Sequence, residues 1–316
     1  MRTSGFTMVE VMIAALLATL AVASALTLIA RGRSAHRITE SRARLEETAR
    51  TALDLLAFEV RMAGYLGPLA PGSPVMGATP VGSPAPDGLG VGGTCVDSLA
   101  IDLAEPIDGA DDRYGAASGL GVGCPPSPNG RAAAGSDTLV LRRVSAEAGP
   151  PDAGRLQLEA TLRTGRLFAD GARTLSESSA VHDVETSVFY VSADTTDTPG
   201  FPSLRRKRLV GGTTPAFQDE ELVSGVADLQ VELGVDDISD GDDATDAYVA
   251  LDAVPAGMRV RSARLWVLVQ SDLPEPSAMM LPALEYAGRR IDATQSRRPR
   301  LLASRTIELR NPVPGP

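Results

Sequence analysis

The chain begins with a long apolar segment. Residues 6 to 30 contain one charged side chain, Glu10, and neither glycine nor proline. At a rise of 1.5 Å per residue a helix over this segment spans about 37 Å, which is enough to cross the ~30 Å hydrocarbon layer of a bilayer. We therefore predict a membrane-spanning helix at the N-terminus.

Helical spacing continues beyond this segment, and no proline occurs before Pro68. Apolar residues recur three, four or seven positions apart, as on one face of a helix. They are Ile38, Leu45, Ala49, Ala52, Leu56, Val60 and Ala63. The pattern predicts one helix from Phe6 to about Ala63, with Gly32 as a weak point at the membrane exit. Its second half should pack one apolar stripe against a globular domain.

Residues 65 to 134 are rich in glycine, proline and serine and contain both cysteines of the chain. Two cysteines are too few for a structural zinc site, so we predict a disulfide between Cys95 and Cys124. The bridge needs an oxidising compartment and would stabilise the fold by roughly 3–4 kcal/mol through the entropy of the unfolded chain. Free thiols in a cytosolic protein are the alternative. We expect an irregular insertion held by the bridge.

Strand patterns dominate residues 135 to 316, and long helical patterns are absent there. The predicted strands are residues 137–144, 155–162, 187–192, 204–210, 226–234, 260–271 and 301–310. An antiparallel sheet packed on the amphipathic half of the helix is the expected architecture, which makes the fold class α+β.

Charge and histidine content exclude several functions. Thirty basic and forty acidic residues give a net charge of −10, which argues against a surface that binds nucleic acid throughout. The basic run at residues 205 to 208 is interpreted as a solvated strand face rather than a DNA contact. The histidines are His36 and His182, no catalytic motif is present, and His182 beside Asp183 is no triad by spacing alone. We predict that the protein is not an enzyme.

An acidic loop follows the fifth predicted strand. Six aspartates lie between residues 236 and 246, and such a density of oxygens suits Ca²⁺. The EF-hand pattern fails, however, because Ile238 and Ala247 occupy positions that need ligands. We favour a solvated acidic turn without a cofactor and keep Ca²⁺ binding as the alternative. Its candidate ligands are Asp236, Asp240 and Asp242.

The carboxylate of Glu10 needs a partner, because an ionised group deep in a bilayer costs at least ~2.5–3.5 kcal/mol. No lysine, arginine or histidine lies within residues 6 to 30. Residues 4 to 11, Ser-Gly-Phe-Thr-Met-Val-Glu-Val, resemble the processing site of type IV prepilins. That resemblance implies cleavage between Gly5 and Phe6, N-methylation of Phe6, and an assembly salt bridge between Glu10 and an N-terminal amine. An ordinary signal anchor with an interfacial Glu10 and a cleaved signal peptide are the alternatives.

The end of the predicted helix resembles a more specific family. Residues 61 to 67, Arg-Met-Ala-Gly-Tyr-Leu-Gly, are similar to the signature of PilW-type minor pilins, as are residues 222–236 and 261–269. Physically the first string is a helix end, in which Gly64 takes a left-handed cap and Tyr65 folds back onto the last turn.

The resemblance implies a type IV pilin-like fold in five parts. They are a leader at 1–5, the membrane half of the helix at 6–30, its amphipathic half at 31–64, the disulfide insertion at 65–134 and the β-rich domain at 135–316. The implied location is the inner membrane, with a single span and the bulk in the periplasm, and later the pilus, at its tip. Arg31, Arg33 and Arg37 oppose this orientation under the positive-inside rule, but the processing site and the disulfide favour it.

The implied function is that of a structural minor pilin, which joins a complex that primes or caps a pilus used in twitching, adhesion or DNA uptake. The implied partners are other minor pilins, the major pilin, prepilin peptidase, the assembly platform, membrane lipid and, as an option, a tip adhesin. Two alternatives remain: a minor pseudopilin of type II secretion and, from another class, a signal-anchored periplasmic enzyme.

Overall fold

One long helix carries the whole fold. The computed structural model describes residues 7–116, 123–176, 178–239, 241–242 and 244–314, with side chains left undescribed at 30, 31, 33–35 and 312–314. Helix α1 spans Met8–Met62, 55 residues or about 82 Å. The continuous helix predicted from the apolar spacing is confirmed within the described residues.

Sixteen strands follow within the described part of the chain. In chain order they are β1 Val75–Met76, β2 Ile107–Ala110, β3 Thr138–Val144, β4 Ala153–Ala160, β5 Gly165–Asp170, β6 Ala180–Ser192, β7 Ser203–Val210, β8 Ala216–Ser224, β9 Val226–Asp237, β10 Ala247–Ala250, β11 Met258–Gln270, β12 Met279–Leu281, β13 Leu284–Tyr286, β14 Arg289–Ile291, β15 Thr294–Ser296 and β16 Arg300–Pro314. A short 3₁₀ helix covers Asp97–Ala100. The α+β class is confirmed.

Two sheets form the globular part. The larger runs β1-β5-β4-β6-β3-β2. Strand β7 also pairs with β6, along residues 187–192, and β8 pairs with β7; all pairs are antiparallel except β1 with β5. The smaller sheet runs β10-β9-β11-β16 and is antiparallel throughout. Two short hairpin pairs, β12 with β15 and β13 with β14, lie between β11 and β16 in the chain.

The main core lies where α1 meets both sheets. Its helix side consists of Leu45, Ala49, Ala52, Leu53, Leu56, Ala57, Val60 and Ala63. Alternate residues of β9, Leu229, Val231 and Leu233, complete the core from the smaller sheet. Each fully buried aliphatic side chain contributes about 1.5–3 kcal/mol, so the C-terminal half of α1 is held firmly.

One residue of the predicted stripe lies outside this core. Ile38 is 58% exposed, because the globular part reaches down α1 only to about Glu40, where Phe201 and Asp272 line a shared cleft. The packed stripe therefore begins at Leu45 rather than at Ile38.

The larger sheet separates the helix core from the disulfide segment. Leu139 and Leu141 of β3 point to the helix core, whereas Val140 between them points to a cluster that contains Cys95 and Cys124. A further cluster packs Leu69, Leu89 and Ile101 onto the same sheet. The predicted irregular segment thus contributes β1 and β2 to the sheet and covers one of its faces.

Candidate functional site

The N-terminal turn of α1 is built around Thr7 and Glu10. Thr7 is the helix N-cap, and its Oγ1 accepts the Glu10 N–H at 3.3 Å. In return, Glu10 Oε2 accepts the Thr7 N–H at 2.8 Å and the Thr7 hydroxyl at 3.0 Å. This reciprocal arrangement is a capping box. Gly5 and Phe6, the predicted cleavage and methylation residues, lie outside the described residues.

The capping box was missed in the sequence, although the Thr-x-x-Glu spacing is its signature. Both recorded bonds of the Glu10 carboxylate end on Oε2, so Oε1 accepts none of them within the described part of the chain. The carboxylate therefore has capacity to accept a further hydrogen bond at the start of the helix.

The segment Met8–Ile29 has the properties of a membrane span. Its mean hydropathy is 2.4, and none of it is buried within the protein. Its hydroxyl groups donate to carbonyls of the preceding turn at 2.8 Å, so they place no unsatisfied donor in an apolar medium. The three bonds are Thr19 to Leu16, Ser24 to Leu20 and Thr27 to Ser24. By length and composition this helix fits a membrane anchor or a signal.

At its other end α1 is fixed to both sheets. Gly64 has φ +74°, as the predicted left-handed cap requires, and its N–H donates to Arg142 O of β3 at 3.0 Å. From the smaller sheet, Asn311 Nδ2 donates to Ala63 O at 3.2 Å. The end of the helix therefore sets the angle between the membrane segment and the globular part.

The backbone of Tyr65 folds back onto the last turn as predicted, because its N–H donates to Met62 O at 3.1 Å, but its ring does not pack there. Its backbone carbonyl accepts the Val144 N–H at 2.8 Å, which draws the residue along β3. Its ring then packs with the second core cluster and meets His182 edge-on, with centroids 6.5 Å apart.

Gly67 lies against the same histidine. Its φ is +65°, and a Cβ placed there would lie 2.8 Å from Cδ2 and Nε2 of His182. The ring is buried and cannot move freely, because its Nδ1 is hydrogen-bonded to Ser145 O at 2.8 Å. The second glycine of the helix-end string is thus required by a close approach.

We expect Gly67→Ala to destabilise the protein by about 3 kcal/mol, because backbone strain and overpacking add. The matched control is Gly72→Ala, which has φ +78° but no atom within 4 Å of the new Cβ, and should cost only about 1–2 kcal/mol. Denaturant unfolding of both variants measures the difference. Equal losses at the two positions would show that contact with His182 is unimportant.

A buried ion pair joins the disulfide segment to the larger sheet. The guanidinium of Arg142 is inaccessible to solvent and lies 3.2 Å from Asp108 Oδ2. Its Nε donates to Leu99 O at 2.7 Å and its Nη1 to Glu105 O at 2.6 Å. The backbone carbonyl of Arg142 also accepts the Gly64 N–H. Arg142 therefore connects the insertion, β3 and the end of α1. Nothing in the sequence around Arg142 distinguished it from the other arginines.

A buried carboxyl joins the two sheets. Asp137 Oδ1 accepts the Asp112 N–H at 2.9 Å and Oδ2 accepts the Val231 N–H of β9 at 2.7 Å. Burial raises the pKa of Asp137 to about 8, helped by the nearby Asp111 and Asp228 and opposed by the two N–H bonds.

The raised pKa of Asp137 predicts a loss of stability with rising pH. The neutral form is favoured in the fold, so this stabilisation is full below the unfolded pKa near 4 and is lost as pH rises through about 8. Between pH 5 and pH 8 the contribution falls by ~3 kcal/mol. The test is urea unfolding of the wild type and Asp137→Asn across this range. The variant should show a flatter profile, and parallel profiles would contradict the assignment.

The basic run on β7 is neutralised within the protein. Arg205 and Lys207 are buried and contact Asp219 of β8, both at 2.7 Å, while Arg206 bridges Glu220 and Glu59 of α1. Glu59 also contacts Arg143 at 3.0 Å. The run therefore serves to join β7, β8 and the helix. It is not the solvated strand face predicted from the sequence.

The cysteines and the acidic loop have different outcomes. Cys95 and Cys124 form the predicted disulfide. In the loop, buried Asp236 contacts Arg261 at 3.2 Å, and Asp242 accepts the Ala244 N–H at 2.8 Å. Asp240 lies outside the described residues, and those that are described contain no cluster of three or more carboxylate, histidine or cysteine residues placed to hold a metal. Ca²⁺ binding stays an untested prediction.

His182 is a packing residue. Within the described chain its recorded polar contact is the Ser145 carbonyl, while the adjacent Asp183 contacts Arg155 at 3.0 Å. The structure therefore does not bring together the residues from which a hydrolase triad was considered.

These observations define the class of protein. It consists of an apolar helix with the length of a membrane anchor or signal, attached to a domain with two main sheets that contains the Cys95–Cys124 disulfide. Residues 188–311 match the family model of PilW, the type IV pilus-assembly protein W. The predicted resemblance to PilW-type proteins is thereby confirmed. It indicates a role in type IV pilus assembly, and PilW is a family of structural assembly proteins rather than of enzymes. No curated protein and no solved structure matches the chain significantly.

Proposed function

We propose that this protein is a minor pilin that enters a complex priming or capping a type IV pilus. The observation that carries the proposal is the division of α1 into two halves. Met8–Ile29 is wholly exposed and apolar, whereas the half from Leu45 onward is buried against two sheets. Such a helix stays in a membrane or a bundle of neighbouring helices while its domain remains in water.

Processing at the N-terminus would supply a cationic partner for the carboxylate of Glu10. Cleavage between Gly5 and Phe6 creates an α-amino group on Phe6, four residues before Glu10 in the sequence. Methylated Phe6 retains a cation, which pairs with Glu10 of the same or a neighbouring subunit. An intramembrane carboxylate without a cation is costly, so this pairing favours assembly.

The proposed location follows from the same features. The helix is held in the inner membrane, with the domain in the periplasm, where the Cys95–Cys124 disulfide is stable. The proposed partners are the other minor pilins and the major pilin, after prepilin peptidase and the assembly platform have acted. The family match to PilW supports the pilus over a type II secretion system.

Fractionation of pili tests the proposal. The protein should be present in sheared pili at a small fraction of the major pilin, and its deletion should reduce surface pili at least tenfold, with recovery on complementation. A protein that stays with the cells, and whose deletion leaves piliation unchanged but blocks secretion, would instead identify a pseudopilin.

A further inference from the structure

Three arginines directly follow the apolar half of α1. Arg31, Arg33 and Arg37 are the only charged residues between Glu10 and Glu40 when histidine is neutral. Arg37 is exposed and has no recorded ion pair among the described residues. The whole chain has a net charge of −10, so this stretch is a local positive region in an acidic protein.

The helix itself offers these arginines little neutralisation. Ion pairs within a helix join residues three or four positions apart, and no acidic residue stands at that spacing from Arg31 or Arg33. Glu40, three positions after Arg37, is bonded to Arg44 at 2.7 Å. The globular part meets α1 only from about Glu40 onward, where Asp272 lines the shared cleft. The positive region therefore lies between the apolar segment and the first acidic residues that follow it.

The arginines stand at the depth of lipid headgroups when Met8–Ile29 spans a bilayer. At 1.5 Å per residue, Arg31, Arg33 and Arg37 lie about 3, 6 and 12 Å beyond Ile29 along the helix axis. The headgroup layer on each side of the hydrocarbon core is about 5–8 Å thick. The Cα–Cβ bonds of a helix tilt toward its N-terminus, which here is the direction of the bilayer, so a long arginine side chain reaches headgroups below its own Cα.

The positions of the arginines around the helix axis favour lipid over a protein partner. Successive residues of a helix are turned by about 100°, so Arg31 and Arg33 lie about 200° apart, on opposite sides of α1. Arg37 lies about 40° from Arg33. A protein docked on one face of the helix contacts one of these sides. Lipid surrounds a single spanning helix on every side, so headgroups meet both.

We propose that Arg31, Arg33 and Arg37 form an arginine belt that binds the headgroups of anionic phospholipids around α1 where the helix leaves the bilayer. Guanidinium groups pair with phosphate oxygens through two parallel N–H donors. An anionic surface favours each nearby basic residue roughly fivefold. The inference rests on the proposed function in one respect, namely that Met8–Ile29 spans a membrane, and it does not depend on entry into a pilus.

Photo-crosslinking to lipid tests the arginine belt in the full chain, reconstituted into phosphatidylcholine vesicles. The vesicles contain a trace of phosphatidylglycerol or of phosphatidylcholine, each with the same photoreactive group beside its phosphate. We expect at least fivefold more adduct with phosphatidylglycerol, located by mass spectrometry in residues 30 to 40. The net charge of the chain cannot produce this preference, because an acidic protein repels an anionic lipid.

Two variants of the belt separate charge from packing. Arg31→Gln/Arg33→Gln/Arg37→Gln should lower the preference for phosphatidylglycerol to less than twofold. Replacement of the same three residues by lysine keeps the charge and should retain at least half of the preference.

The matched control removes the same charge from the same helix farther from the bilayer. Arg42, Arg44 and Arg50 are exposed and lie about 20–32 Å beyond Ile29. That distance exceeds the headgroup layer by more than the ~8 Å Debye length of physiological salt, so their charges are screened from the lipid. Arg42→Gln/Arg44→Gln/Arg50→Gln should therefore keep the preference within twofold of the wild type.

Three results would overturn the inference: a preference below twofold in the wild type, equal losses in the glutamine variants of the belt and of the control, or adducts confined to the globular part. A chain that alkaline carbonate extracts from the vesicles has no membrane span, and this result would remove the proposed function as well. Absence from sheared pili with an intact lipid preference would remove the pilus role alone and leave the arginine belt supported.

Discussion

Glu10→Gln is expected to lower the amount of this protein in pili at least tenfold while it still folds and inserts in the membrane. Glutamine at this position keeps the capping box with Thr7 but removes the negative charge. The cation proposed at Phe6 then has no anionic partner, and an unpaired charge within the apolar layer costs at least ~2.5–3.5 kcal/mol. Immunoblots of sheared pili and of membranes measure the two pools separately.

Thr7→Ala is the matched control for this experiment. It removes the N-cap hydroxyl, at a cost of about 1 kcal/mol, and leaves the Glu10 charge in place. We expect incorporation within twofold of the wild type. The reverse pattern, in which Thr7→Ala is excluded from pili and Glu10→Gln enters normally, would show that Glu10 acts only as a helix cap.

Arg142→Met should have the largest effect on stability, about 3–5 kcal/mol, because it leaves Asp108 buried without its cation and removes the donors to two carbonyls. Guanidinium unfolding of the full chain in detergent measures the loss. The matched control is Arg155→Met, since Arg155 is 46% exposed and its ion pairs should contribute less than about 1 kcal/mol.

A double variant separates the ion pair from general packing. In Arg142→Met/Asp108→Asn the buried charge is also gone, so the combined loss should be smaller than the sum of the single losses. Additive losses, or a single loss near that of Arg155→Met, would contradict the role assigned to Arg142.

The helix could be predicted because its signals are local. An apolar run without glycine or proline and the spacing from Leu45 to Ala63 describe α1 without reference to any other part of the chain. Where the packed stripe begins could not be predicted, because it depends on how far the globular part extends, and Ile38 was therefore misassigned.

The strands show the same division. The alternation of apolar and polar residues located seven strands, but β5 and β8 were missed. Strand β8 carries acidic residues at 219 to 221, which are typical of a solvated segment when the sequence is read alone. They face the basic residues of β7, a pairing that only the sheet register reveals. The short β1 and β2 belong to a segment whose glycine and proline content masks any strand pattern.

The candidate site was predictable where chemistry is written in adjacent residues. The Thr-x-x-Glu spacing of the capping box is such a case, and so is the pair of cysteines, which forms the predicted disulfide. The roles predicted for Gly5, Phe6 and Glu10 in processing and assembly stay predictions. The helix end was predicted at Gly64 but not at Gly67, because the requirement for glycine there comes from His182, more than a hundred positions away. Arg142 and Asp137 also depend on residues distant in sequence, Leu99 and Val231, which lie 43 and 94 positions away.

The mass of the N-terminal peptide of the mature protein tests the central claim most directly. The account predicts a chain isolated from cells that begins at Phe6 and carries one added methyl group on its α-amine. A chain that still begins at Met1, or one that begins beyond the apolar segment that ends near Ile29, would contradict it.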